Sequence, residues 1–89
     1  MDARTVRQAL IEGLEAGGVS EASQIKFRAP FLDGTLDATF AELELDSLAR
    51  MELCIAIEVA LGVSLAPEEL ERYPTLGALV ADIEERLRG

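Results

Sequence analysis

"DSLARMELCIAIEVALG" (residues 46–62) is the stretch whose reading decides the fold. Leu48, Met51, Leu53, Cys54, Ile55, Ile57, Val59 and Leu61 cover most of a helical wheel. A helix that is apolar on most sides lies between its neighbours, so the stretch predicts the central helix of a bundle. The helix is expected over about 47–61, with Gly62 as its stop. Its open strip is expected at Ala49, Glu52, Ala56 and Ala60, which share one face at i, i+3, i+4 spacing. Met51 and Cys54 are read as core. Asp46 is a good N-cap and places Ser47 in the first turn, its hydroxyl exposed at the end of a long loop. Two readings of Ser47 stay open from these residues alone. One is an ordinary capping pair. The other is a modification point, because unpaired N–H groups and the macrodipole at a helix N-terminus favour a phosphate.

Working outward, Val6, Leu10, Ile11 and Leu14 recur at helical spacing and predict a first helix over residues 3–16, capped by Asp2 and ended by Gly17-Gly18. Residues 19–41 form a long connection containing Pro30 and the turn pair Asp33-Gly34. Its apolar residues (among them Phe27, Phe31, Leu36 and Phe40) predict a loop folded over the bundle, with a short helical turn capped by Asp37 or Thr39. "APEELERYP" (66–74) predicts a short helix with Pro67 at its first position and Tyr73 packed beneath it. Thr75 caps a last helix running to about Leu87, with Leu76, Leu79, Val80, Ile83 and Leu87 as its buried stripe. The fold class is all-α. It is a small four-helix bundle of three longer helices and one short helix, with a long loop between helices one and two, in a single domain over 1–89.

Composition narrows the function. Hydrophobic residues make up 49% of the 89, enough for a core. The net charge of −9 is uneven: −2 over residues 1–41 and −7 over 42–89. Such a surface disfavours nucleic acid, whose phosphates need Lys and Arg, and favours partners with basic patches. The longest apolar run, "LCIAI" (53–57), is too short to cross a bilayer, and no signal peptide is visible, so no membrane insertion is expected. Cys54 is the only cysteine and there is no histidine. A zinc site and a Ser–His or Cys–His mechanism are therefore not available within the chain. An unpaired cysteine suits a reducing, cytoplasmic setting. No catalytic residue and no metal site are assigned, and a monomer is expected.

The segment 38–88 resembles the acyl carrier protein family, which includes the carrier domains of polyketide and non-ribosomal peptide synthesis. The matching residues are "TFAELELDSLARMELCIAIEVALGVSLAPEEL" and "YPTLGALVADIEERL". Within them stand Phe40 and Leu43 ahead of Asp46-Ser47-Leu48, then Glu52-Leu53, Pro67-Glu68-Glu69 and Thr75. Counting helix one, the resemblance covers most of the chain and fails only around 26–36.

It implies a carrier without catalysis of its own. A phosphopantetheinyl transferase would attach 4'-phosphopantetheine, taken from coenzyme A, to Ser47, with Asp46 supporting the attachment. The arm's thiol would hold acyl intermediates as thioesters and deliver them to partner enzymes of fatty acid, polyketide or related lipid biosynthesis. Those acyl-loading and acyl-transferring partners would dock through basic patches on Leu48, Glu52 and Glu58. The alternatives are an aminoacyl or aryl carrier of the non-ribosomal type, and an unmodified acidic helical adaptor. Two departures stand out. Glu44 occupies the position of a usual glycine, and the central helix has Ala49, Arg50, Val59 and Ala60 where fatty-acid carriers are richly acidic. They imply a specialised stand-alone carrier.

Overall fold

The computed structural model describes residues 2–88; Met1 and Gly89 lie outside it. Helix α1 spans Ala3–Ala16. Its start is fixed by the Asp2 carboxylate, which accepts the Thr5 amide at 2.9 Å and the Thr5 hydroxyl at 2.8 Å. Gly17 caps its end, and Gly18 then takes the left-handed conformation at φ +83°. Val6, Leu10, Ile11 and Leu14 are fully buried, which is the stripe their spacing predicts.

Helix α1 packs chiefly against the central helix α3, Ser47–Leu61. The contact is made close by small residues. A Cβ on Gly13 would sit 2.9 Å from the Leu53 Cα, and one on Gly17 would sit 2.7 Å from the Ala49 Cα. This overturns the expected open strip of α3. Ala49 is only 2% exposed and Ala56 is half-buried, because both fill the α1 crossing. Of that strip only Ala60 is fully open. The solvent face is instead Leu48 (62% exposed), Met51 (51%), Ile55 (46%) and Val59 (81%). Met51 is therefore surface rather than core, whereas Cys54 is buried as expected. Burial pushes the Cys54 thiol up, and Glu69 and Glu68 nearby push it further.

The long connection differs from a plain loop. After a 3-10 turn at Ser20–Ser23 it contains a helix, α2, over Ile25–Asp33. Pro30 lies inside this helix, where it removes one backbone donor. Side-chain packing outweighs that loss. Phe31 is fully buried, stacks on Phe27 at 5.6 Å between centroids, and carries the Arg7 guanidinium over its ring at 5.2 Å. Glu15 of α1 holds the segment from outside, accepting Ser23 and Arg28 at 2.8 Å each. Asp33-Gly34 serves as the end of α2: Gly34 takes φ +82° and its amide reaches the Phe31 carbonyl at 3.1 Å.

The turn after α2 is closed by Thr39 and Glu42, each side chain accepting the other's amide at 3.0 and 2.9 Å. Thr39, not Asp37, thus caps this turn. Asp37 reaches helix α4, Leu76–Arg88, where Thr75 caps the start by accepting the Ala78 amide at 3.1 Å. The short segment Pro67–Arg72 forms a 3-10 helix with Pro67 at its start. Tyr73 is half-buried beside it, and its hydroxyl also donates to Asp82 at 2.5 Å. Arg86 joins Asp82 at 3.0 Å and Glu69 at 3.9 Å, so a polar cluster ties the 3-10 helix to α4. Among the described residues no helix is long and apolar enough to cross a membrane.

Candidate functional site

The entrance to α3 is built by two buried leucines and a strained residue between them. Leu43 and Leu45 anchor the chain in the core. Glu44 between them adopts φ +53°, the only non-glycine in the left-handed region among the described residues. Side chains resist this conformation by about 1–2 kcal/mol. The turn then delivers Asp46 in extended backbone, and its carboxylate accepts the Ala49 amide at 2.8 Å. The capping role therefore belongs to Asp46, and Ser47 stands exposed as the first residue of α3.

Ser47 opens on a groove of about 280 Å³ lined by Arg50, Met51, Pro67, Glu68 and Glu71. Arg50 pairs with Glu71 across this groove at 3.5 Å. Arg50 thus meets an acid of the 3-10 helix. A second hollow of about 240 Å³ lies on the other side, where Arg50 and Glu71 meet Phe40, Leu70, Tyr73 and Pro74. Of the docking residues expected on α3, Leu48 and Glu58 are exposed and Glu52 is half-buried at the edge of the face. Met51, Ile55 and Val59 share that exposed face. Met51 was expected in the core, whereas Val59 was already expected on the face that is acidic in fatty-acid carriers; periodicity does not show which of these apolar residues the α1 crossing leaves open.

An exposed hydroxyl at a helix start, with the cap made by its neighbour and open space beside it, suits a serine that bears a bulky group. The molecule this defines is a small helical bundle with an accessible serine at the start of its central helix. The family model described as "Phosphopantetheine attachment site" matches residues 24–83. The chain belongs to this family, in which acyl carrier proteins fall and whose prosthetic group is covalent 4'-phosphopantetheine. The match runs through 26–36, the segment that the sequence resemblance left out. The chain is also 41% identical over 54 residues to an acyl carrier protein of Petrotoga mobilis (strain DSM 10674 / SJ95), an alignment covering 60% of this chain and 64% of that protein. The chain thus spans less than two thirds of that relative's length. No solved structure matches the chain significantly.

The residues at the α3 entrance fit the prosthetic group. Ser47 supplies a free oxygen, the groove supplies room, and Arg50 supplies a cation within the groove. When bound, the arm contributes a terminal thiol, which the buried Cys54 does not replace.

Proposed function

We propose that Ser47 is the attachment point, and that the chain tethers acyl intermediates as thioesters and delivers them to enzymes of fatty acid, polyketide or related lipid biosynthesis. The observation that carries this reading is Ser47 itself: exposed at the start of α3 while Asp46 makes the cap. Asp46 supports attachment by holding the first turn of α3 in place. A phosphopantetheinyl transferase is the first partner. Acyl-loading and acyl-transferring enzymes follow, docking on Leu48, Glu52 and Glu58 through patches that are basic at the rim. Met51, Ile55 and Val59 extend that face and add an apolar centre. The chain works as a monomer in the cytoplasm, a setting that its acidic surface and single buried cysteine support.

The test is direct. The protein is incubated with coenzyme A, magnesium and a broad-specificity phosphopantetheinyl transferase, and its intact mass is measured. A phosphopantetheine-sized gain that disappears in Ser47→Ala is expected. A folded protein that gains nothing would rule the reading out and leave an unmodified adaptor. Loading the modified form from acyl-CoA in one arm and from adenylated amino or aryl acids in another then assigns the cargo class.

A further inference from the structure

Arg50 is placed for more than its ion pair with Glu71. It lies one helical turn from Ser47, at i+3, where helix side chains are neighbours with about 5–6 Å between Cβ atoms. Both residues line the same groove. The other charged residues lining that groove are Glu68 and Glu71, so Arg50 is its one cation among the described residues. A phosphodiester on Ser47 would face two carboxylates, and Arg50 is the group able to offset them. Its present partner is weakly held. The Arg50–Glu71 contact is a single N···O approach at 3.5 Å, and Glu71 is largely exposed. Such pairs contribute little. A guanidinium offers five N–H donors in a fork that matches phosphate oxygens, giving shorter and stronger bonds than this one.

We propose that Arg50 is a switch residue: it pairs with Glu71 before modification and transfers to the arm's phosphodiester after it. The inference rests on Ser47 being the attachment point. Arg50 and Glu71 also line both hollows beside the 3-10 helix, so their pair stands where the two meet. Its exchange frees Glu71 and removes that bridge. Attachment of the arm would thus change the surface next to Ser47, giving partners a way to tell the modified chain from the unmodified one.

The test uses the full chain as wild type, Arg50→Gln, Arg50→Lys and Glu71→Gln, each loaded by a transferase from coenzyme A and checked by intact mass. NMR then reads the Arg50 Nε–Hε signal and the ³¹P shift of the phosphodiester. In wild type the Arg50 signal should move on loading. Glu71→Gln should move it in the unmodified protein and leave it in place in the loaded one. Arg50→Gln should displace the ³¹P resonance beyond its linewidth, and Arg50→Lys should return it part of the way. Loaded protein in which the Arg50 signal stays put, or in which wild type and Arg50→Gln share one ³¹P position, overturns the switch while leaving Ser47 attachment intact. A folded wild type with no mass gain, or a gain that survives Ser47→Ala, removes the attachment reading and the switch with it.

Discussion

The Asp37 carboxylate accepts the Gly77 amide at 2.8 Å across a separation of 40 residues, tying the end of the long connection to the start of α4. The contact is tight: a Cβ on Gly77 would fall 2.5 Å from the same carboxylate. The Leu76 amide adds a bond to the Ala38 carbonyl at 2.9 Å. Burial pushes the Asp37 carboxyl up, but bonds from Thr75, Gly77 and Ala38 outweigh it and hold it below the ordinary 3.8. A lowered native value means that the carboxylate stabilises the fold above the unfolded value and loses that effect as pH falls through the native one. Asp37→Ala should cost about 1 kcal/mol at neutral pH, the usual size of a lost cap. For a domain of this size that is about 4–8 °C in Tm. Thermal melts of wild type and Asp37→Asn should differ at pH 7 and converge on acidification below pH 3.8.

Glu44 carries backbone strain that a glycine would relieve. Its φ of +53° lies where a side chain meets the carbonyl oxygen. Glu44→Gly should stabilise the protein by about 0.5–1 kcal/mol, the relief being partly offset by a more flexible unfolded chain. Glu44→Val should destabilise it, since a β-branched residue is a genuine outlier in this region. Denaturant titrations of the pair check the sign. Equal midpoints for the two variants would refute the strain.

The α1–α3 crossing should tolerate no added methyl group at Gly17. Its φ of −81° suits any residue, so the obstacle is Ala49, whose Cα would lie 2.7 Å and whose Cβ 3.0 Å from the new Cβ. Gly17→Ala should destabilise by about 1–3 kcal/mol, as overpacking does. Equilibrium unfolding in urea measures it.

The exposed stripe of α3 should separate folding from docking. Val59→Lys should change stability by no more than about 0.5 kcal/mol, as surface substitutions do. Leu53→Ala, one face round and fully buried, should cost about 2–5 kcal/mol. If Val59→Lys destabilised comparably, the side chain would belong to the core and the assigned face would be wrong. Should α3 serve as the docking face, Val59→Lys and Met51→Gln would also slow transfer to acyl-handling partners while leaving the melting temperature in place.

Much of the fold was legible locally. The caps at Asp2, Asp46 and Thr75 and the glycine stops act within a few residues of the chain and stand where the sequence places them, and the cap left open between Asp37 and Thr39 falls to Thr39. The bounds of α1 and α3 follow from them. Ser47 was legible as a candidate for the same reason: an Asp before it and apolar anchors after it define a helix entrance.

Tertiary structure decided what depends on distant neighbours. Periodicity shows which residues of α3 share a face, but not which face meets another helix closely. Gly13 and Gly17 bring α1 against Ala49 and Ala56, so the small residues are covered and Leu48, Met51, Ile55 and Val59 face water. Pro30 and Asp33-Gly34 are local signals for a loop, yet burial of Phe31 beneath Arg7 gives α2 a helix there. Asp37 and Gly77, like Arg50 and Glu71, lie too far apart in sequence for any local pattern to pair them. The sequence alone determined where α1, α3 and α4 begin and end, because those signals act through bonds a few residues long. Only packing determined which faces and charges remain free for a partner.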